Sequence, residues 1–260
     1  MSSIIVSILV AACVFSGSLA GLFLHRILRP THLAKESQEA VRLGIGMLSV
    51  LSSLVLGLLI ATAKGSYDTS DQAVRRYAAE LALLNETLRD YGADASVPRD
   101  LLRQYTTTLL HDVWPTNGAP PHLSDEPSWR IMEQVREAVR ALTPVDDDQK
   151  WLRDQALTIN VELLRQRWLL VGEQGATVSP VVLMVLVSWI TIIFVSFGLN
   201  APRNALVIAA FFVCGLAIGG SIFLILEMDR PLDGVMQIPS WPLRNVLKQM
   251  DWWRALSAPG

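Results

Sequence analysis

Cysteine is nearly absent from this sequence. Cys13 and Cys214 are the only two in 260 residues, and both fall inside apolar runs, so they build neither a disulfide framework nor a CxxC metal or redox motif. An excess of basic charge is missing too. Lys and Arg number 22 against 24 Asp and Glu, for a net charge of −2, which excludes the basic footprint of a nucleic-acid binder. The four histidines, His25, His32, His111 and His122, show no ligand spacing. His25 and His32 flank a short basic loop and are read as interfacial residues. GxxxxGK[ST] and HExxH are absent. The one hint of GxGxxG, at Gly44 and Gly46, lies inside an apolar run. With no acid, base or nucleophile brought together, the sequence reads as non-enzymatic and without cofactor or metal.

Charge itself is scarce. Only 18% of residues are charged against 51% hydrophobic, and mean hydropathy is +0.36, a balance that belongs to membrane proteins. Four runs, residues 4–24, 43–63, 181–199 and 205–226, contain no Asp, Glu, Lys or Arg. Each is close to the roughly 20 apolar residues that cross a bilayer core. The first lacks a basic leader and exceeds the usual apolar stretch of a signal peptide, so it is read as a retained span. The fold class is therefore all-α, an integral membrane protein with four transmembrane helices in two pairs.

A polar segment, 64–180, separates the pairs. Val74, Tyr77, Leu81, Leu84, Leu88 and Tyr91 recur at steps of three and four, the signature of one apolar helix face. Leu102, Tyr105, Leu109 and Val113 repeat it. Pro127 opens a helix carrying Trp129, Met132, Val135, Val139 and Leu142. Asp146, Asp147 and Asp148 start a last helix, where the dipole favours acids; it runs through Leu152, Ala156, Ile159 and Leu163 and is expected to lead into the third span. NGAPPHLSDEP breaks the segment as a loop. An inserted helical bundle follows, carrying 13 Lys and Arg against 18 Asp and Glu. Between the last two spans NAPRN is a tight turn, which predicts an antiparallel hairpin. The tail, 227–260, is assigned to the membrane interface on its tryptophans and the alternation of Leu243, Val246, Leu247, Met250 and Trp253 with Arg244, Lys248 and Arg254. Packing of that helix on the bundle is the alternative, because amphipathicity suits both.

The second span is the most informative. At about 100° per residue, Arg42, Gly46, Ser49, Ser53, Gly57 and Lys64 share one quadrant, with Leu48, Leu51, Val55 and Leu58 opposite. A small, mildly polar stripe with a basic residue at each end has two readings. Small residues let membrane helices approach closely; alternatively the stripe lines a pore in an oligomer, with mouths that attract anions. Leu56 and Ile60, one turn apart, are then the candidate hydrophobic constriction. Gly17 with Gly21, and Gly215 with Gly219, have the spacing of helix-packing faces.

At the end of the fourth span LILEMDRPLDG crowds Glu227, Asp229, Arg230 and Asp233. Pro231 stops the helix near Arg230. Glu227 and Arg230 are placed to pair across one turn, and Asp229 or Asp233 to anchor the turn at Gly234. These four are structural clasp candidates. Three acids offer too few oxygens for a hard cation, which takes six or more, so no metal is expected there.

SFGLNAPRNALV, FLILEMDRPLDGVMQIPSWPLRN and HLAKESQEAVRLGIGMLSVLSSLVLGLLIATAKGSYD resemble the bacterial bestrophin-like family of membrane proteins over nearly the whole chain. More distantly, the layout is similar to that of bestrophins, pentameric anion channels whose pore is lined by the second span. That resemblance implies a homo-oligomer, a pentamer, in the bacterial inner membrane, passing small anions, with the bundle and both termini cytoplasmic. Charge alone leaves this sidedness undecided, since the short loops and the opposite side carry similar Lys and Arg near the span ends. The chain lacks an aromatic-rich constriction in its second span and only faintly echoes the acidic calcium clasp of animal bestrophins. The alternative is a non-conducting membrane anchor whose bundle binds a partner as scaffold or sensor.

Overall fold

The computed structural model describes residues 2–24, 35–115, 126–172, 178–232 and 234–257. Within them every regular element is helical: α1 Ser3–Leu24, α2 Lys35–Tyr91, α3 Ser96–Val113, α4 Glu126–Arg140, α5 Asp147–Gly172, α6 Pro180–Asn200, α7 Ala205–Met228 and α8 Trp241–Ser257. They form two compact units, Met1–Tyr67 with Ala176–Arg230, and Asp68–Gly175 with Pro231–Gly260.

The first unit holds four helices long and apolar enough to cross a membrane: α1, the first part of α2, α6 and α7. Pro180 sits at the first turn of α6 and Ser179 before it is extended, because a residue preceding proline is pushed out of helical geometry. That break separates α5 from α6, where the sequence suggested one continuous run. Asn204 caps α7 by accepting the Val207 N–H at 2.8 Å, and Arg203 donates to the Leu22 carbonyl at 2.7 Å, satisfying the C-terminal end of α1.

Glycine decides how these helices meet. A Cβ on Gly21 would lie 2.1 Å from the Val195 carbonyl, and one on Gly198 2.1 Å from the Ser18 carbonyl, so α1 and α6 touch backbone to backbone. On α7, a Cβ at Gly219 would come within 2.9 Å of the Ser7 carbonyl, and one at Gly215 within 3.2 Å of the Ala11 carbonyl. Both glycine pairs are thus packing faces. The last two spans are joined by the short turn that NAPRN suggested, but their closest packing is with α1. α1 makes the close backbone contacts with both, while α6 and α7 meet through the edge-to-face rings of Phe194 and Phe211. Val10, Val14, Leu186, Ile190, Ile193 and Ile222 fill the centre.

In the second unit most of the expected faces are buried: Val74, Tyr77, Leu81, Leu84, Leu88 and Tyr91 of α2; Leu102, Tyr105, Leu109 and Val113 of α3; Met132, Val135, Val139 and Leu142 beside α4; Ala156, Ile159 and Leu163 of α5; Trp129 is exposed and Leu152 half-buried. Asp146 caps α5 by accepting the Gln149 N–H at 2.7 Å. Gly92, at φ 113°, ends α2 in a conformation that costs other residues strain. Most of the loop NGAPPHLSDEP lies outside the described residues.

Two features depart from expectation. α2 does not end at Lys64 but continues unbroken to Tyr91: the change there is one of surroundings, and no proline interrupts the hydrogen-bond ladder. The tail packs within the second unit. Leu243, Val246 and Met250 are buried, Trp114 Nε1 donates to the Ile238 carbonyl at 2.8 Å, the Arg75 guanidinium lies 4.9 Å from the Trp241 ring centre, and Gln249 donates to Glu86 at 3.1 Å. Protein covers Leu243, Val246 and Met250 of α8, as the packing alternative expected, while Trp241 and Trp252 stay exposed.

The glycine contacts carry a test. Gly198→Ala should force α1 and α6 apart and destabilise the protein by about 1–3 kcal/mol. Gly46→Ala, with nothing within 4 Å of its Cβ position, should be neutral or stabilising by up to about 1 kcal/mol through helix propensity. Thermal unfolding in detergent reads both.

Candidate functional site

The membrane part of α2 has three sides. Ser52 and Ala63 are buried, and Ile45, Leu48, Val55, Leu56 and Leu59 pack against the core of the first unit. Roughly opposite on the helix, Leu43, Met47, Val50, Leu54 and Leu58 are each about two-thirds exposed or more. The stripe lies on the flank between them. Arg42, Gly46, Ser53, Gly57, Ile60 and Lys64 are exposed and Ser49 is half-buried. Gly46 and Gly57 have open space where a Cβ would stand, so this stripe is not where helices of the same chain approach. Leu56 is half-buried against its own core, which leaves Ile60 as the exposed member of the expected constriction.

The serines keep their hydroxyls within the helix. Ser49 donates to the Ile45 carbonyl at 2.8 Å and Ser53 to the Ser49 carbonyl at 2.9 Å. Their lone pairs remain available outward, at small steric cost. A groove of about 990 Å³ runs along Glu39, Arg42, Leu43, Gly46 and Met47. A second, of about 920 Å³, separates α2 from α6 and α7 between Arg42, Ser49, Ser196, Asn200 and Phe211. At the other end of the stripe the Lys64 ammonium stands 5.6 Å from the Tyr67 ring centre.

The acidic boundary is a local structural joint. Glu227 and Asp229 are buried, 3% and 8% exposed, whereas Arg230 is exposed. The Asp229 carboxylate accepts the Val178 N–H at 3.1 Å, which ties the end of α7 to the residues that lead into α6. A carboxylate at the close of a helix opposes that helix's dipole; here it faces the positive N-terminal end of α6 instead. Asp229, expected to anchor the turn at Gly234, instead anchors the chain leading into α6. Asp233, the fourth clasp candidate, lies outside the described residues. No group of three His, Cys, Asp or Glu forms a metal-binding set among the described residues; His111 is exposed beside Asp112, and His25, His32 and His122 lie outside them.

A buried polar cluster in the second unit had no clear signal in the sequence. The hydroxyls of Tyr77 (α2) and Tyr105 (α3) are hydrogen-bonded to each other. Arg167 of α5, 6% exposed, donates to the Tyr105 hydroxyl at 3.2 Å and to Ser128 Oγ of α4 at 2.8 Å. Burial pushes the Tyr77 phenol well above its ordinary range, and the neighbouring Tyr105 adds to this. Burial also raises Tyr105, with Arg167 opposing. The native state therefore prefers neutral phenols. Their contribution to stability is complete below the ordinary tyrosine value of about 10 and is lost as pH rises through the raised native value. Chemical denaturation should show stability falling above pH 10, and Tyr77→Phe should flatten that fall.

Asp229→Ala leaves the buried Val178 N–H unpaired and should cost about 1–3 kcal/mol, while Arg230→Ala should stay within about 0.5 kcal/mol as an exposed change; melting temperatures of the two variants decide.

No curated protein matches the chain by sequence. Its fold is that of solved bacterial membrane proteins. A crystal structure of a point variant of a bacterial bestrophin homologue from Klebsiella pneumoniae superposes with TM-score 0.68 at 13% identity, covering 96% of this chain and 97% of that one. A second variant of that homologue gives 0.67 at 12%, covering 95% and 98%. A crystal structure described only as a membrane protein gives 0.65 at 12%, covering 97% and 99%. The sequence profile of the bestrophin-like domain matches residues 12–243, and the protein belongs to the bestrophin-like family.

Proposed function

We propose that this bestrophin-like protein assembles as a homo-oligomer, a pentamer, in which the α2 helices surround a path for small anions of the chloride type. The observation that carries this reading is the state of α2. α1 makes close contacts with both α6 and α7, whereas the span of α2 is covered along one side only and keeps its glycines open. In a ring, the uncovered sides meet neighbouring copies and the axis.

The chemistry of the stripe suits anions. Arg42 and Lys64 stand at its two ends and raise the local anion concentration by Coulomb attraction. Gly46, Ser49, Ser53 and Gly57 keep side chains out of the bore, so an ion retains part of its water. Ile60 supplies an apolar ring near the Lys64 end, with Leu56 behind it, where dewetting sets the barrier. The bundle and both termini are cytoplasmic in this reading, and the bilayer is the inner membrane. Glu227, Asp229 and Arg230 close the end of α7, and Asp229 also ties it to the residues that lead into α6.

A second reading has support from the bundle. Trp129 and Trp168 stack edge to face with ring centres 6.2 Å apart, and Trp168 is 64% exposed, as suits the docking of a partner on a non-conducting anchor or sensor.

Native mass measurement in detergent, with chloride flux from liposomes, separates the two. The channel reading expects five copies and flux that Gly46→Trp, Ser53→Trp or Gly57→Trp lowers at least about tenfold, some 1.4 kcal/mol or more of added barrier, with the mass unchanged. A monomer that passes no chloride under any condition tested would overturn it.

A further inference from the structure

The apolar seam that α2 presents to the bundle repeats too regularly to fix its own position. Val74, Tyr77, Leu81, Leu84 and Leu88 recur at steps of three and four, so a shift by three residues sets Leu84 where Leu81 stood, and a shift by four sets Leu81 where Tyr77 stood and Leu88 where Leu84 stood. Helices with such seams are held in register by a buried polar residue whose partners exist in only one alignment. The Tyr77, Tyr105, Ser128 and Arg167 cluster has that character. It takes one residue from each of α2, α3, α4 and α5, all four are buried, and its bonds are directional. An apolar side chain in place of Arg167 would avoid the desolvation of a buried guanidinium, so what the arginine adds is position.

We propose that the hydroxyl contact of Tyr77 with Tyr105, held by Arg167, is a register pin that fixes the height and rotation of α2 within the bundle. Tyr77 is the member of the cluster that α2 contributes. That helix is continuous from Lys35 to Tyr91 and also carries the stripe of small residues. A slip of one turn displaces α2 by about 5.4 Å. The consequence for conduction rests on α2 lining a pore; the pin itself does not.

The test uses the full chain in nanodiscs, with Cys13→Ala and Cys214→Ala to remove the two exposed thiols. Spin labels go at the exposed positions Leu83 on α2 and Thr158 on α5. The parent protein should give one distance between them. Tyr77→Phe, which removes one oxygen and little volume, should add a population displaced by about 5 Å, one turn, and Arg167→Met should do the same. Arg167→Lys, which keeps the charge, should restore part of the parent distribution. A single unchanged distance in folded Tyr77→Phe protein overturns the pin. Chloride flux from the same preparations separates the two ideas: displaced distances with parental flux leave the pin standing and remove its link to a pore, whereas displaced distances with altered flux support both.

Discussion

Backbone contact between α1 and its neighbours is the constraint on which the membrane unit depends. In lipid, apolar side chains gain nothing by leaving solvent for one another, so association relies on close van der Waals fit. Gly17 and Gly21 provide it towards α6, and Gly215 and Gly219 towards α7. Fit of this kind is specific, because an added carbon would meet a carbonyl at Gly21, Gly198, Gly215 and Gly219 and the Thr191 methyl at Gly17. It also determines what remains. α2, with its small residues turned to open space, contributes one side to the core and keeps the rest of its circumference uncommitted. The same residue type therefore has opposite uses on neighbouring helices.

The second unit relies on a different balance. Apolar faces of α2 through α5 and α8 are buried against one another, and leucines in such faces can be exchanged for one another with little loss. Uniqueness comes from polar contacts: the Asp146 cap of α5, the Trp114 bond to the Ile238 carbonyl and the Tyr77–Tyr105–Arg167 cluster. α2 takes part in both regimes, and nothing in its backbone marks the passage from one to the other.

Much of this was legible in advance where periodicity reports burial. The four spans and the buried faces of α2, α3, α4 and α5 follow from apolar spacing alone. Hydropathy reports the surroundings of a chain and not its hydrogen bonding, so Lys64 looked like the start of a new element although the helix runs through it. Amphipathicity is the same whether lipid or protein covers a face, so α8 was open to both assignments. The wedge of α1 against both later spans depends on contacts between residues far apart in sequence, which NAPRN could not signal. Arg167 read as one of the basic charges flanking a span, and Tyr77 and Tyr105 as members of an apolar face; only the fold brings their polar atoms together. At the stripe, the sequence identified the small residues but not that Leu56 turns partly into its own core.

The packing of α1 has a consequence for biogenesis. α1 is made before the surfaces that its glycines, Ser7 and Ala11 fit, which belong to α6 and α7 and are synthesised only after α2 to α5. The carbonyl of Leu22 likewise waits for Arg203. Until those residues leave the ribosome, the first span stands in the bilayer with its interlocking faces against lipid or the insertion machinery. A chain interrupted before residue 180 would present such an unfinished span to quality control, while a chain that continues through α6 and α7 closes it.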